Sequence, residues 1–186
     1  MTDAGPAAST RTVEISDPDA MHELGVALGH RLGAGDLVIL TGPLGAGKTT
    51  LTRGIGEGLG IRGPVQSPTF VIARTHPSLV GGAPLVHVDA YRLADATELD
   101  DLDLDFAGSV VVAEWGAGLL EGRESWAELV IERPMGDGAA TDGEIGAASA
   151  HALDDPTDET WAEELVEPRI VTLRGYGPRW SEGVLP

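Results

Sequence analysis

The residues best suited to chemistry form a glycine-rich run that contains the chain's single lysine, Lys48. Positions 42–49 read Gly-Pro-Leu-Gly-Ala-Gly-Lys-Thr, a complete match to the phosphate-binding pattern G-x-x-x-x-G-K-[ST]. In this pattern backbone N–H groups surround the phosphates, and a slim ammonium on a flexible stem reaches the β- and γ-phosphates. The hydroxyl of Thr49 is then available to Mg²⁺. The run therefore predicts a nucleotide-binding loop.

The elements that must position this loop are also readable from the pattern. An apolar run at 37–40 predicts a buried strand before the loop, and 49–59 predicts a helix after it, closed by Gly60. The start of that helix presents free N–H groups and the positive end of its dipole to a phosphate. Because the strand and the helix are both present, the run is not interpreted as a chance glycine-rich turn.

Two later apolar segments end in carboxylates and are both candidates for the Walker B acid. Leu85–Asp89 and Val110–Glu114 have the same pattern, a short buried strand followed by an acid. Ligands of α/β sheets gather at the C-terminal ends of the strands, so either carboxylate is expected to face Lys48 and its Mg²⁺. The alternative is that a strand simply ends in a polar residue on reaching solvent. Spacing does not distinguish Asp89 from Glu114.

Length and composition restrict the class of protein. A chain of 186 residues predicts one domain, and the absence of cysteine excludes disulfides and cysteine-ligated zinc. A net charge of −18 opposes autonomous binding to RNA or DNA. The first ten residues lack the apolar core of a secretory signal or a membrane span. We therefore expect a cytoplasmic protein with no membrane association.

The charge is concentrated in one segment, which defines the expected domain boundaries. Positions 135–167 hold ten acidic residues and no lysine or arginine, which predicts a solvated, largely disordered insertion. Antiparallel strands at 129–131 and 170–173 are expected to flank it. The predicted nucleotide-binding domain comprises 11–134 together with 168–175, with flexible tails at 1–10 and 176–186.

Weaker patterns predict the remaining elements. Val13 and Ile15 indicate a short edge strand, and Asp17-Pro18 indicates the cap and first turn of a helix. Positions 69–74 predict a strand, and 95–104 predict a short acidic helix. His87 is interpreted as a strand residue of mixed burial, and Trp115 as an aromatic lid or core residue.

Several of these features occur together, in an order and spacing that resemble those of one protein family. The chain resembles the TsaE family, bacterial ATPases of tRNA threonylcarbamoyladenosine synthesis, over positions 17–131, about two-thirds of its length. The loop alone fits many families, whereas the segments downstream of it are specific. The resemblance rests on the run 45–54 and on Ser67-Pro68-Thr69-Phe70, His87-Val88-Asp89-Ala90-Tyr91-Arg92-Leu93, Glu98-Leu99 and Glu114-Trp115.

The resemblance implies a fold and a set of site residues. It implies a P-loop NTPase-like α/β fold, with a central parallel sheet, antiparallel edge strands and flanking helices. Thr49 and Glu114 would hold Mg²⁺, and Asp89 would orient water or support the ion from outside its ligand set. The catalytic residues would be Lys48, Asp89 and Glu114. The residues that contact ATP would be Leu44, Gly45, Ala46, Gly47, Lys48, Thr49 and Thr50, with Thr69 from a switch-like loop near the γ-phosphate.

The resemblance also implies partners. Such proteins hydrolyse ATP in support of a separate transferase pair, TsaD with TsaB, so tRNA would be met only through the complex. The loops around Asp17 and after Glu132 would border the adenine. A small-molecule kinase is the leading alternative, although no arginine cluster suggests the lid that a kinase needs. A module that binds ATP and scarcely hydrolyses it is a second alternative.

Overall fold

In the part of the chain that the structure describes, seven strands form one sheet in the order β1-β7-β6-β2-β5-β4-β3. This computed structural model describes residues 7–68, 71–92, 104–120, 123–133 and 167–185. The strands are β1 (Ser9–Ile15), β2 (Leu37–Thr41), β3 (Ala73–His76), β4 (Leu85–Asp89), β5 (Val110–Glu114), β6 (Trp126–Glu132) and β7 (Arg169–Tyr176). The helices are α1 (Pro18–Gly29) and α2 (Lys48–Gly58), with short 3-10 turns at Ala90–Arg92, Gly116–Leu120 and Pro178–Trp180.

The centre of the sheet is parallel and its edges are antiparallel. Strand β2 lies between β5 and β6 and runs parallel to both, and β4 runs parallel to β5. Strands β7 and β1 extend one side in antiparallel order, and β3 closes the other side. The runs of β2, β4 and β5 are apolar on both faces because helices or loops cover both faces. The predicted fold class is confirmed.

Helix α1 begins where its capping residues predict. The carboxylate of Asp17 accepts a hydrogen bond from the backbone N–H of Ala20 at 2.8 Å, and Pro18 occupies the first turn. Helix α2 begins at Lys48, one residue before the predicted start, with Gly47 as its N-cap. Among the described residues, neither helix has the length and apolar character needed to cross a membrane.

The two helices pack through glycine faces. A Cβ built on Gly54 would lie 2.1 Å from the carbonyl oxygen of His22, and one on Gly25 would lie 2.3 Å from that of Leu51. The helix backbones therefore touch, which only residues without side chains permit. This contact fixes the start of α1 beside the start of α2. Two glycines on each helix take part: Gly25 and Gly29 on α1, and Gly54 and Gly58 on α2.

The segment after β7 differs from the predicted flexible tail. Pro178–Trp180 forms a 3-10 turn, and Trp180 and Val184 are buried in the core cluster that includes α1 and α2. Gly177 and Pro178 open this turn, and Trp180 at its end is buried. At the other terminus β1 begins at Ser9, inside the predicted tail 1–10. The described C-terminal residues are therefore part of the packed domain.

One further expectation is corrected, and others fall outside the described ranges. The strand predicted at 69–74 begins only at Ala73. Val71 and Ile72 lie in a turn, and Ile72 has a left-handed φ of 65° that interrupts any strand. Thr69 and Phe70, the acidic helix expected before Leu104, and the insertion up to 166 lie outside the described residues.

Candidate phosphate-binding site

The loop between β2 and α2 has the backbone geometry that its glycines require. Gly45 and Gly47 have φ values of 72° and 104°, in the left-handed region that residues with a Cβ rarely adopt. A Cβ on Gly42 would lie 2.7 Å from the carbonyl oxygen of Ile131. The loop is thus compact against β6, and its last N–H groups belong to the start of α2.

Lys48 is a buried cation held over this loop. Only 7% of the residue is exposed. Its Nζ donates hydrogen bonds to the carbonyl oxygens of Gly42 at 2.9 Å and Pro43 at 3.1 Å. The same Nζ lies 5.2 Å from the ring centroid of Trp115, which provides a cation–π contact. The ammonium is therefore held at the loop by neutral acceptors rather than by a close ion pair.

The two candidate carboxylates lie side by side at one edge of the sheet. Asp89 and Glu114 are register partners on β4 and β5, and Leu40 of β2 is the partner of Glu114 on its other side. Side chains alternate along a strand, so both acids share the face of Leu40, which packs in the cluster with α2. The parallel register therefore brings both carboxylates to the face on which α2 begins.

Glu114 is the carboxylate that approaches the lysine. Its Oε2 lies 3.9 Å from Lys48 Nζ, and its Oε1 lies 3.2 Å from Nε2 of His87. Asp89 is half-buried, and its backbone N–H donates to the carbonyl of Ile72 at 2.8 Å. Among the described residues, Asp89 forms no ion pair with Lys48. Which acid binds a cation remains a prediction.

The other predicted contact residues surround the same loop. Thr49 and Thr50 lie in the first turn of α2, and Gly45 and Ala46 lie in the loop itself. Leu44 is 94% exposed at the tip of the loop. Thr69 lies outside the described residues. The nucleotide contacts of these residues remain predictions.

A cavity of about 500 Å³ adjoins the loop on the side of α1. Arg133, which follows β6, donates from Nη2 to the carbonyl of Gly45 at 3.1 Å and so links that strand end to the loop. Hydrogen bonds from the hydroxyl of Ser16 and the N–H of Ala20 lower the pKa of Asp17. The cavity is lined by Asp17, Pro18, Met21, Gly45, Ala46, Gly47, Thr50, Arg133, Glu167 and Arg169.

The donor set fits a magnesium ion that is shared with phosphates. In the part of the chain that the structure describes, no three His, Asp or Glu side chains come together as a metal cage. Mg²⁺ is usually held by one or two carboxylates together with substrate phosphates, and it does not require such a cage. The hydroxyl of Thr49 and the carboxylate of Glu114 provide oxygen atoms of this type beside a glycine cradle, and their binding of Mg²⁺ remains a prediction.

Two contacts of the site were not predicted from the sequence. His87, interpreted as a residue of mixed burial, is fully buried and contacts Glu114. Arg133 was not singled out. The alternation along β4 places His87 on the same face as Asp89, so the pattern contained a signal for the first contact. Nothing local indicates the second, because Arg133 reaches Gly45 across 88 positions.

Comparison with known proteins gives one consistent result. A family model described as "Threonylcarbamoyl adenosine biosynthesis protein TsaE" matches residues 15–136. A tRNA threonylcarbamoyladenosine biosynthesis protein TsaE of Streptomyces coelicolor is 52% identical over 165 residues, which is 87% of this chain and 94% of the relative. The protein of the same name from Bacillus subtilis is 41% identical over 130 residues, 68% of this chain and 78% of the relative.

A solved structure agrees with these relatives. The crystal structure of Bacillus subtilis YdiB aligns with a TM-score of 0.58 and 26% identity, covering 91% of this chain and 87% of that one. The matched range 15–136 begins in β1 and spans the phosphate-binding loop and both strand-end carboxylates. The chain belongs to the TsaE family.

Proposed function

We propose that this protein is a Mg²⁺-dependent ATPase that supports threonylcarbamoyl transfer to the tRNA adenosine next to the anticodon. Its family membership supports the pathway, since the relatives are named for tRNA threonylcarbamoyladenosine biosynthesis. The separation of 3.9 Å between Lys48 Nζ and Glu114 Oε2, at the opening of a glycine loop, carries the proposal of hydrolysis. The proposal assigns the ammonium to phosphate and the neighbouring carboxylate to Mg²⁺.

The residues of the chain have separate tasks in this proposal. The loop N–H groups and the start of α2 bind the phosphates, and the adjoining cavity takes the nucleoside. Lys48 exchanges its carbonyl partners for the β- and γ-phosphate oxygens. Thr49 and Glu114 would hold Mg²⁺, which neutralises charge on those oxygens. Asp89, beside Glu114 in the register, orients the attacking water.

The proposed partners are a transferase pair of the TsaD and TsaB type. The net charge of −18 supports contact with tRNA only through such a complex, because RNA binding depends on clustered lysine and arginine. This chain then supplies energy rather than the transfer chemistry. The cytoplasm is the compartment that the proposal requires, since the tRNA substrate and ATP are found there.

Phosphate release measured with and without TsaD and TsaB type subunits tests the function. We expect Mg²⁺-dependent hydrolysis of ATP that responds to the subunits. Phosphorylation of an added small-molecule acceptor would indicate a kinase instead. Tight ATP binding with no release under either condition would indicate a nucleotide-dependent interaction module.

A comparison of two acid variants tests the assignment of the ligand. Glu114→Gln and Thr49→Ala should each raise the Mg²⁺ concentration that gives half-maximal activity, because each removes an oxygen ligand of a hard cation. Asp89→Asn, a matched change on the neighbouring strand, should lower turnover with less effect on the Mg²⁺ requirement. If only Asp89→Asn changes that requirement, the ligand is Asp89.

A further inference from the structure

The imidazole of His87 lies beneath the site with no exposure to solvent. It lies between Val86 and Val88 in the middle of β4, and its two ring nitrogens have different surroundings. Nε2 lies 3.2 Å from Glu114 Oε1, whereas Nδ1 is buried with no hydrogen-bond partner among the described residues. A leucine would fill this space without leaving a buried polar atom unpaired. Among the described residues, the hydrogen bond to Glu114 is the side-chain contact that the imidazole makes and that a leucine would not.

The unpaired nitrogen indicates where the proton lies. Buried polar groups nearly always have partners, and an unpaired buried donor is rarer than an unpaired acceptor. The arrangement with the smaller penalty has Nδ1 without a hydrogen and Nε2–H donating to Glu114 Oε1. The Glu114 carboxylate thus accepts this hydrogen bond through Oε1 from the fully buried imidazole of β4.

Glu114 therefore lies between two nitrogen groups. His87 Nε2 contacts Oε1, and Lys48 Nζ lies 3.9 Å from Oε2, longer than a normal hydrogen bond. A carboxylate free to rotate next to a buried ammonium would form a closer pair with it, because attraction is strong where water is scarce. A close ion pair between Lys48 and Glu114 would engage both of the charged groups that the proposed reaction needs.

We propose that His87 is a positioning residue that holds the Glu114 carboxylate back from Lys48. Through Nε2–H it fixes Oε1, so that Oε2 remains directed towards the phosphate-binding loop and Lys48 remains free to exchange its carbonyl partners for phosphate. The inference rests on the proposed ATPase function. It adds His87 to the proposed site as a residue that contacts neither nucleotide nor metal and acts through Glu114, the proposed Mg²⁺ ligand.

Three variants test the proposal by Mg²⁺-dependent hydrolysis. His87→Leu removes the donor, and we expect the half-saturating Mg²⁺ concentration to rise about tenfold or more, as is usual when the partner of a metal ligand is lost. His87→Gln places an amide N–H near the position of Nε2 and should recover most of the loss. The KM for ATP at saturating Mg²⁺ should change much less.

His76→Leu is the matched control. His76 is also a buried histidine with an unpaired ring nitrogen. Its pKa is lowered mainly by its burial and to a smaller extent by the nearby His87. It lies on β3, on the same face as His87, because its neighbour Arg74 is the register partner of His87. No contact with Glu114 involves it in the described residues. We expect wild-type Mg²⁺ dependence from this variant.

Two measurements on the protein without nucleotide or metal complete the test. Long-range ¹H–¹⁵N NMR should place the His87 proton on Nε2. A double-mutant cycle of His87→Leu and Glu114→Gln, followed by urea unfolding, should give a coupling between the two residues. A proton on Nδ1, additive effects, or wild-type Mg²⁺ dependence in His87→Leu would each overturn the proposal. Absence of hydrolysis by the wild-type protein would instead overturn the proposed function.

Discussion

The two halves of the sheet differ in how deeply their charged side chains are buried and in how closely these side chains pair. In the site half, formed by β2, β4, β5 and α2, Lys48 and Glu114 are 7% and 14% exposed and stand 3.9 Å apart. In the scaffold half, formed by β6, β7 and β1, Arg174 and Glu128 are 41% and 26% exposed and approach to 3.2 Å. Buried charges held apart cost stability, whereas exposed close pairs contribute little.

The comparison indicates that stability comes from apolar burial, to which the scaffold half, the C-terminal segment and the strands of the site half all contribute. Leu129, Ile131, Leu173 and Trp180 are at most 1% exposed and belong to the cluster that supports α1 and α2. The site half has buried strands of its own, but its strand ends carry polar groups under the loop. The residues proposed for catalysis therefore differ from the apolar residues that stabilise the fold, and substitutions should separate the two effects.

The largest functional effect is expected from Lys48→Ala. Removing the charge that bridges the terminal phosphates should reduce ATP hydrolysis about a hundredfold or more, while the loop and the fold remain. Phosphate release and thermal unfolding measure the two outcomes. Arg174→Ala, which breaks the exposed pair, is the control and should change stability by less than about 1 kcal/mol without loss of activity. Wild-type turnover in Lys48→Ala would exclude the loop as the phosphate site.

The largest effect on stability is expected from Trp180→Ala. Trp180 is 1% exposed, and truncating a buried aromatic residue costs about 3–5 kcal/mol. Urea unfolding measures this loss, and the ATP affinity of the folded fraction should be little changed. A cost near zero would mean that the segment after β7 is a loosely attached tail, as its composition suggested.

Gly54→Ala is expected to lower both ATP affinity and stability, the two properties that the preceding variants separate. The added Cβ meets the carbonyl of His22 on α1, and overpacking of this kind costs about 1–3 kcal/mol. Because α1 would be pushed away from α2, ATP affinity should fall together with the free energy of unfolding. Gly33→Ala, with no atom within 4 Å of the added Cβ, is the control. Equal behaviour of the two variants would contradict the role of the glycine contact.

The smallest effect is expected from shortening the acidic insertion. Glu132 and Ile170 are register partners, so a short Gly/Ser linker in place of 135–166 can close the β6–β7 hairpin. ATP affinity at moderate salt should be nearly unchanged in titration calorimetry. Binding to partner subunits should change at low salt and recover as salt screens the lost charge. A large loss of ATP affinity would show that the insertion contributes to the cavity lined by Arg133 and Arg169.

Local patterns were sufficient for the parts of the fold whose cause is local. The loop motif specifies left-handed glycines and a helix start, and the structure has both at Gly47. The cap at Asp17 and the apolar runs of β2, β4 and β5 are equally local. Strand β3 was misjudged because Val71 and Ile72 have strand-forming side chains, yet a turn with positive φ at Ile72 overrides this preference.

Contacts between distant positions could not be read from the sequence. The pattern placed Asp89 and Glu114 at strand ends, but only the pairing of β5 with β2 brings Glu114 next to Lys48. The burial of Trp180 depends on the 3-10 turn Pro178–Trp180, which was not predicted from the sequence. The full burial of His87 likewise follows from what packs over β4 rather than from β4 itself.

The pairing of β1 with β7 has a consequence for biosynthesis. The hydroxyl of Ser9 donates to the carbonyl of Trp180 at 2.8 Å, across 171 positions of the chain. Strand β1 thus stays unpaired until a segment 171 positions further along the chain has been synthesised, and joining such distant segments is a slow step. Until β7 emerges, β6 has an open edge of the kind that recruits other chains. Chains ending before residue 169 are therefore expected to aggregate rather than to yield a smaller domain.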